Sequence, residues 1–418
     1  MPYKIFSCVC LTLVLSCLPP CNTLAVGSQQ RDYTFEGSIS RPVLENYLSR
    51  AITVSDLFMG QGDFEDNLRM LTNMGTKFAG RTVFVWAGES QLPALLADVA
   101  PGVAKVHAQD PDMILQAAIF EIITTDVENL PIPGWVFQEF GLPIETRHFD
   151  YEAMLFDSGE EIDFYGPGAS VPDITKLETR LWFFYAAASY MDIHVEAIHL
   201  GQLGWMAHRD PGYAHVENVI GHIRRYASQH ARRHYVLLDA HVHGLVRDGH
   251  LLLDFHSYPL RIKEVAGSPP HGVLEIGYYD SIYQQSQGGI APSGWYAESN
   301  PYLVEFDHGY GRGSVALNVG PNFVWGYDEV SWFSLLTEQE RNRFLLYAWN
   351  WVRRNDPNGY VQMPGQRQLF INTWPHPEDW YHANTASAAV PNGYSQEETI
   401  KGIWHLPRSL PSLFLLFE

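Results

Sequence analysis

Short apolar runs alternate with amphipathic segments along most of this chain. Eight of the runs have the length and composition of buried β-strands, namely Thr82–Ala87, Ile114–Ile123, His194–Leu200, Tyr235–His241, Leu251–Ser257, Val273–Tyr279, Tyr302–Asp307 and Phe323–Ser331. Apolar residues at helical spacing mark a second set of segments, namely Arg41–Phe58, Phe64–Met74, Gln91–Val99, Asp173–Tyr190, His215–Arg232, Glu338–Arg353 and Gln396–Trp404. Strands interleaved with helices in this order predict an α/β fold, a (β/α)8 TIM-like barrel.

One predicted connection does not fit a regular barrel. Only residues 242–250 separate the fourth and fifth runs, whereas a helical crossover needs about a dozen residues or more. The sequence Arg247-Asp248-Gly249 within this interval is typical of a hairpin turn. We therefore predict a barrel with at least one irregular crossover, and a doubly wound sheet is the alternative architecture.

The two ends of the chain differ from the predicted barrel. Residues 26–40 are polar and predict a linker, and the barrel with its N-terminal helices is predicted over residues 41–356. Residues 357–418 are rich in proline and glycine, so we predict an irregular C-terminal extension there.

Residues 1–25 have the features of a secretory signal peptide. Lys4 precedes the apolar stretch Ile5–Leu18, and Thr23-Leu24-Ala25 offers a small-residue cleavage site. The sequence that ends at Cys17 is also close to a lipobox, and lipidation of Cys17 would attach the protein to a membrane. We expect an exported protein that is periplasmic, extracellular or lipid-anchored at a bacterial cell surface.

The charge balance narrows the choice of partner. The 27 basic residues against 47 acidic ones give a net charge of −20, which repels phosphate backbones. Nucleic acid is therefore not expected as a partner, and the sequence leaves the oligomeric state open. Hydrophobic residues make up 46% of the chain and charged residues 18%, as in globular proteins.

Six of the predicted strands carry a carboxylate after two to four apolar residues, and these are Glu121, Glu196, Asp239, Asp254, Glu275 and Glu305. Side chains two residues apart share one face of a strand, so His241 is expected beside Asp239 and His256 beside Asp254. In a barrel these faces could line the lumen near its C-terminal end, where barrel active sites lie. Each carboxylate could instead be one half of a structural ion pair with arginine or lysine.

These strands and acids resemble those of the (β/α)8 glycoside hydrolases, over roughly residues 80 to 355. In retaining enzymes of that class, two carboxylates at strand ends act as acid/base and nucleophile. The resemblance implies that Glu196 is the acid/base and Glu305 the nucleophile of an enzyme that cleaves glycosidic bonds in a poly- or oligosaccharide. Asp239 or Asp254 could replace one of the two glutamates.

The same resemblance implies a sugar-binding role for polar and aromatic residues near the strand ends. These residues are Glu121, His199, Gln202, Asp239, His241, Asp254, His256, Glu275, Trp86, Trp325 and Tyr327. Core packing is the alternative role for each tryptophan. The resemblance implies no cofactor, although clustered carboxylates could hold a structural calcium ion.

A metal site is the main alternative to a glycosidase. His241 and His243 lie two apart on a predicted strand, so both imidazoles could bind one zinc ion. This pair resembles the opening motif of amidohydrolase-type metalloenzymes, although more than half of the chain precedes it. A third hypothesis is a barrel that binds carbohydrate without cleaving it.

Overall fold

The computed structural model describes residues 31–60, 62–309, 322–371 and 380–406, and the predicted signal peptide lies outside these ranges. Eight parallel strands follow one another around a barrel in chain order. They are β1 (Ala51–Val54), β2 (Phe78–Phe84), β3 (Ile114–Ala118), β4 (Ala197–His199), β5 (Leu237–Asp239), β6 (His256–Pro259), β7 (Tyr302–Glu305) and β8 (Gly359–Gln368). Strand β8 pairs with β1, and a parallel bridge from His241 to Ser257 joins β5 to β6 and closes the barrel. The predicted (β/α)8 TIM-like fold is confirmed.

Ten α-helices accompany the barrel within the described ranges. They are α1 (Arg41–Leu48), α2 (Phe64–Met74), α3 (Leu92–Gln109), α4 (Gly134–Glu139), α5 (Leu177–Asp192), α6 (Leu203–Met206), α7 (Ala214–His230), α8 (Glu329–Leu335), α9 (Glu338–Asn355) and α10 (Glu397–His405). Local sequence sets several of their ends. Asp63 caps α2 by accepting a hydrogen bond from the Asp66 amide, and Thr337 begins α9 with a capping box to Glu340. None of the described helices is long and apolar enough to cross a membrane.

Two of the connections between barrel strands contain no helix. Between β5 and β6 the chain forms the hairpin Val246–Arg247 with His250–Leu251, as the Asp248-Gly249 turn predicts. This hairpin joins the short strands Gly289–Ile290 and Tyr296–Ala297 from the connection between β6 and β7. The irregular crossover expected between the fourth and fifth runs is therefore present.

The structure corrects two of the eight predicted strands. Of Val273–Tyr279, only the first residue is in a strand, which is Gly272–Val273 in a hairpin with Lys263–Glu264 outside the barrel. The run Phe323–Ser331 contributes no barrel strand because Asp328 caps the start of α8, its side chain accepting a hydrogen bond from the Ser331 amide at 2.8 Å.

Two barrel strands lie where the sequence analysis placed none. Strand β1 falls inside the helix predicted over Arg41–Phe58, because its apolar residues continue the helical pattern of α1. Strand β8 lies within the predicted C-terminal extension, because Pro364 and Gly365 in its middle are unusual in a strand. The barrel therefore continues beyond residue 356, and Trp380–His382 adds an antiparallel strand to the end of β8.

Two layers of inward-facing side chains fill the barrel. The layer at the N-terminal end is apolar and consists of Ala51, Phe78, Ile114, Ala197, Leu237, Phe255, Leu303 and Tyr360. Helix α1 and the segment before it pack on this layer and close that end. Two residues further along each strand lies the second layer, which consists of Thr53, Gly80, Gln116, His199, Asp239, Ser257, Glu305 and Gln362. The lumen is therefore polar only towards its C-terminal end.

Candidate active site

We call the second layer of the lumen the polar layer. Glu305 is the carboxylate in this layer with the most polar partners. Its Oε1 atom pairs with the Arg81 guanidinium and lies 2.8 Å from His241 Nε2. Its Oε2 atom accepts hydrogen bonds from Arg367 at 3.3 Å and from the Thr53 hydroxyl at 3.4 Å. Burial alone would raise the pKa of Glu305, but the charges of Arg81 and Arg367 outweigh it and hold this pKa well below its ordinary range. Glu305 is therefore an anion at neutral pH.

Irregular strand geometry brings the two arginines into the lumen. Arg81 directly follows the inward-facing Gly80, and the register between β2 and β3 shifts at this point. Its φ of +60° is the local distortion that turns the side chain inward. In β8, Gly365 is an extra residue opposite β1, so Arg367 reaches the lumen from a position that regular alternation would turn outward.

Asp239 forms the second centre of the polar layer. Its Oδ1 atom accepts a hydrogen bond from Gln116 Nε2 at 2.7 Å. Its Oδ2 atom lies 2.8 Å from His199 Nδ1 and accepts a hydrogen bond from the Ser257 hydroxyl at 2.7 Å. Burial lowers the pKa of His199, despite the nearby Asp239 charge. The neutral ring then donates from Nδ1 to Asp239 and presents Nε2 to the lumen.

Arg81 joins the two centres into one network. Its Nη2 atom lies 2.9 Å from His241 Nε2 and 3.5 Å from His199 Nε2, and it also reaches Glu305. The rings of His199 and His241 are in edge contact, with centroids 4.8 Å apart. Asp239 and Glu305, from β5 and β7, therefore share one set of cationic and imidazole neighbours.

Aromatic and amide side chains border the network at the mouth of the barrel. The Phe120 ring lies 6.0 Å from that of His199, and Trp86 packs against Phe120 at 5.2 Å. Nearby, Glu121 accepts hydrogen bonds from the backbone and side-chain amides of Gln202, both at 2.9 Å. The structure thus places four of the predicted sugar-binding residues around one opening, with Trp86, Glu121 and Gln202 beside His199.

Glu196 lies on the other side of the barrel wall. It directly precedes Ala197, an inward-facing residue, so its own side chain points outward. There it pairs with Arg232 at 2.5 Å, with Arg233 at 3.4 Å and with His107 at 3.0 Å. The structure does not bring Glu196 and Glu305 together across the lumen.

Three other predicted binding residues also lie away from the network. Asp254 pairs with Arg224 at 3.0 Å and accepts a hydrogen bond from the Leu238 amide at 2.8 Å. His256 is buried on the outward face of β6, with Nδ1 2.9 Å from the Ser286 hydroxyl. Glu275 pairs with Lys263 on an exposed hairpin.

Trp325 and Tyr327 lie in the segment before α8. Trp325 donates from its indole nitrogen to the His271 carbonyl at 3.0 Å, and its backbone amide donates to Glu264 at 2.6 Å. Tyr327 exchanges backbone hydrogen bonds with Val324. The contacts of Trp325 are with the hairpin outside the barrel, so the structure does not join it to the network.

The His241 and His243 nitrogens face different partners. His241 Nε2 lies beside Glu305 and Arg81, whereas His243 Nε2 lies 2.7 Å from the Asp280 carbonyl. A guanidinium thus occupies the position beside His241 Nε2 where a metal ion would bind. Over the described ranges, no group of three or more histidine, cysteine or acidic side chains is arranged to hold a metal ion.

Five residues of the network were not predicted from the sequence, and these are Thr53, Arg81, Arg367, Gln116 and Ser257. Gln116 and Ser257 could have been found, because each is the polar residue two positions after an inward-facing apolar one. The arginines could not, because their inward direction depends on the bulges in β2 and β8.

No family model matches the chain, and no curated protein sequence matches it. Three solved structures are similar to parts of it. An isomalto-dextranase from Arthrobacter globiformis, complexed with panose, is 11% identical, with 51% of this chain and 40% of that chain covered and a TM-score of 0.32. A variant of the trehalulose synthase MutB is 10% identical, with 47% and 45% covered and a TM-score of 0.28.

A debranching enzyme from Nostoc punctiforme is 10% identical, with 88% of this chain and 81% of that chain covered and a TM-score of 0.43. The chain therefore spans less than half of the first two structures and most of the third. Its own strand order shows the (β/α)8 barrel.

Proposed function

We propose that this chain is an exported glycoside hydrolase that acts at the carboxylates of β5 and β7. The observation that carries the proposal is the shared network of Asp239 and Glu305 at the C-terminal end of the lumen, below an aromatic border. Active sites of (β/α)8 enzymes lie at this end, and a carboxylate pair is the usual machinery for cleaving glycosidic bonds. Asp239 thus replaces Glu196 as the second carboxylate of the site, where it holds His199, and the acid/base role first assigned to Glu196 falls to His241.

Glu305 supplies the negative charge that the reaction needs. In the retaining mechanism, one of its carboxylate oxygens bonds to the anomeric carbon as the bond to the leaving oxygen breaks. The two arginines keep Glu305 ionised and hold it in place before the sugar binds. Water then attacks the anomeric carbon and releases the carboxylate.

His241 is the proton carrier in this proposal. It lies 2.8 Å from Glu305 and its side chain is 15% exposed, so it reaches both the anion and the mouth. An imidazole nitrogen can give up and take up a proton, so His241 can protonate the leaving oxygen and then accept a proton from the attacking water. Asp239 accepts hydrogen bonds from three neutral donors, which are Gln116, His199 and Ser257. It thereby fixes His199 and the other residues at the floor of the site.

Export is part of the proposal and depends on residues 1–25, with their apolar stretch and small-residue cleavage site. Mass spectrometry of the N-terminal peptide, from the medium, membrane and cytoplasmic fractions of a bacterial host, tests it. An N-terminus after Ala25 supports secretion, and a lipidated N-terminal Cys17 supports membrane attachment. An uncleaved chain in the cytoplasm contradicts both.

The enzymatic activity is tested by incubating the purified chain with a panel of glycans and separating the products by chromatography. We expect shorter sugars from at least one glycan and none from the Glu305→Gln variant. Proton NMR of the first product gives its anomeric form and distinguishes retention from inversion. Hydrolysis that survives in Glu305→Gln contradicts the assignment of Glu305.

A barrel that binds glycans without cleaving them is the second candidate. This candidate is favoured because protein side chains already occupy both carboxylates. Three donors bind Asp239, and four residues bind Glu305. Glycan binding by the wild-type chain without products supports this candidate over the hydrolase. A zinc hydrolase has less support, because Arg81 lies where His241 would bind the metal; activity that is lost in EDTA and restored by zinc would favour it.

A further inference from the structure

A row of aromatic side chains leads from the lumen outward over the β3–β4 side of the barrel. We call it the aromatic row, and in order from the lumen it consists of Phe120, Trp86, Tyr165, Phe164 and Trp205. The successive ring centroids are 5.2, 5.4, 5.0 and 4.8 Å apart. The row is thus continuous with the site, since Phe120 contacts His199 and lies under the Arg81 guanidinium.

The longest connection of the barrel carries the middle of the row. It runs from residue 119 to 196, between β3 and β4, and contributes Phe120, Tyr165 and Phe164. The strand pair Ile123–Thr124 and Ala169–Ser170 holds it together, and its apolar residues pack in a large core cluster. Connections that follow barrel strands build the substrate sites of such enzymes, so this one is placed to extend the site.

Polar contacts hold two rings of the row in place, those of Tyr165 and Trp205. The Tyr165 hydroxyl donates to Glu121 at 3.4 Å, and the Trp205 indole nitrogen donates to Glu161 at 3.1 Å. The backbone of Tyr165 is also bonded to Ala169 at 3.0 Å. Rings that are held before a ligand arrives lose little conformational entropy on binding.

Exposure is greatest at Phe164, in the outer half of the row. His199, at the inner end, is 1% exposed, whereas Phe164 is 57% exposed and the neighbouring Ile162 is 42% exposed. Exposed aromatic surface that continues from a polar site is typical of ligand-binding surfaces. The flat apolar face of a sugar ring packs against such a surface while its hydroxyl groups keep polar neighbours.

The charges along the row indicate the kind of glycan. Glu121, Glu161 and Asp163 accept hydrogen bonds from neutral donors, which are Gln202, Tyr165, the Trp205 indole and the Gly168 amide. Glu121 and Glu161 bond to side chains of the row itself, and their negative charge repels uronic acids and sulfated sugars. An uncharged glycan meets no such repulsion.

We propose that the aromatic row binds an uncharged oligosaccharide chain that extends outward from the lumen. The substrate is then a neutral glycan several units long, and not a single sugar. This inference rests on the proposed function of the site at the inner end of the row.

Isothermal titration calorimetry with neutral malto- and cello-oligosaccharides, from disaccharide to hexasaccharide, tests the inference on the Glu305→Gln chain. We expect affinity to rise with chain length. Phe164→Ala should lower affinity for the hexasaccharide about three- to tenfold, the usual worth of one aromatic contact, and leave the disaccharide unchanged. Phe164→Tyr should restore the affinity, and polygalacturonate should bind more weakly than the neutral chains.

Tyr296→Ala is the matched control, because Tyr296 is 71% exposed on the outer hairpin and belongs to no part of the row. Length-dependent binding that Phe164→Ala leaves unchanged, or that Tyr296→Ala lowers equally, overturns the inference alone. Preference for polygalacturonate overturns its claim of an uncharged ligand. A chain that binds none of these glycans and cleaves none overturns the proposed function and this inference with it.

Discussion

Two glutamates on opposite faces of the barrel wall are buried among the same kinds of partners. The partners of Glu196 are Arg232, Arg233 and His107. The partners of Glu305 are Arg81, Arg367 and His241. Each glutamate therefore has two guanidinium groups and one imidazole, and neither is exposed by more than 1%.

The surroundings of the two clusters differ. Around Glu196, Arg232 and Arg233 also donate to the Pro111 carbonyl, and the Leu115 amide donates to Glu196 at 3.3 Å. These contacts fasten the ends of α3 and α7 to the start of β3. Around Glu305, Arg81 reaches the imidazoles of His199 and His241, which face the C-terminal end of the lumen.

The comparison shows that the composition of an ion cluster does not reveal its role. A buried ion pair contributes little net stability compared with an apolar replacement, yet removal of one partner is costly because a charge is left unpaired. Both clusters should therefore matter for folding. Only the cluster around Glu305 should matter for chemistry, because only it meets the lumen.

Glu305→Gln should have the largest effect and separates the two clusters most sharply. We expect the turnover number on a cleaved glycan to fall by roughly 10³-fold or more, because the reaction loses its anionic carboxylate. Glu196→Gln should change it less than about twofold. Steady-state kinetics at a temperature where both variants are folded provide the measurement, and equal losses would contradict the comparison.

Glu196→Gln should instead lower the free energy of unfolding, by about 3 kcal/mol, since two arginines lose their buried partner. Urea unfolding followed by circular dichroism measures it. Glu275→Gln is the matched control, because its ion pair with Lys263 is exposed and worth about 1 kcal/mol at most. Similar losses in both variants would mean that the Glu196 cluster is no more important than a surface pair.

Gly80→Ala should disturb the polar layer itself. A Cβ atom at residue 80 would overlap the amide nitrogen of Gln362 and lie 3.1 Å from Gln116 Oε1. Such overpacking costs about 1–3 kcal/mol and should also lower activity, because Gln116 positions Asp239. Gly221→Ala in α7 is the control, since an added Cβ there meets nothing within 4 Å. Unchanged stability and activity in Gly80→Ala would show that the layer is not tightly packed.

His256 extends the comparison to a buried group that stays neutral. Burial lowers its pKa to about 3, so between pH 6 and 4 the unfolded chain binds a proton that the folded chain does not. Stability therefore falls as the pH falls through this window, by about 1.4 kcal/mol per pH unit for this one group. His256→Asn should remove that share of the slope in urea titrations at several pH values.

The control for His256 is His271→Asn, at an exposed position of the hairpin outside the barrel. It should leave the slope as in the wild-type chain. An equal change in both variants would show that the pH dependence does not come from burial of His256.

The prediction of the barrel from sequence rested on apolar runs and helical spacing, and six of the eight runs overlap barrel strands. The two barrel strands that were not predicted, β1 and β8, were missed for local reasons. The four residues of β1 fall inside the helix predicted over Arg41–Phe58, and β8 contains Pro364 and Gly365, which are typical of loops. In both strands, pairing with neighbours distant in sequence overrides local preference.

The sequence by itself determined where the apolar runs lie and which of them carry an acid, so it placed Asp239 and Glu305 on strands, with His241 two residues after Asp239. It could not separate Glu196 from Glu305. Strands of a parallel barrel are covered by helices on one side and by the lumen on the other, so both faces look equally apolar in sequence. Only the tertiary structure decided which face turned inward, and only the bulges at Arg81 and Gly365 decided that two arginines would meet Glu305 there.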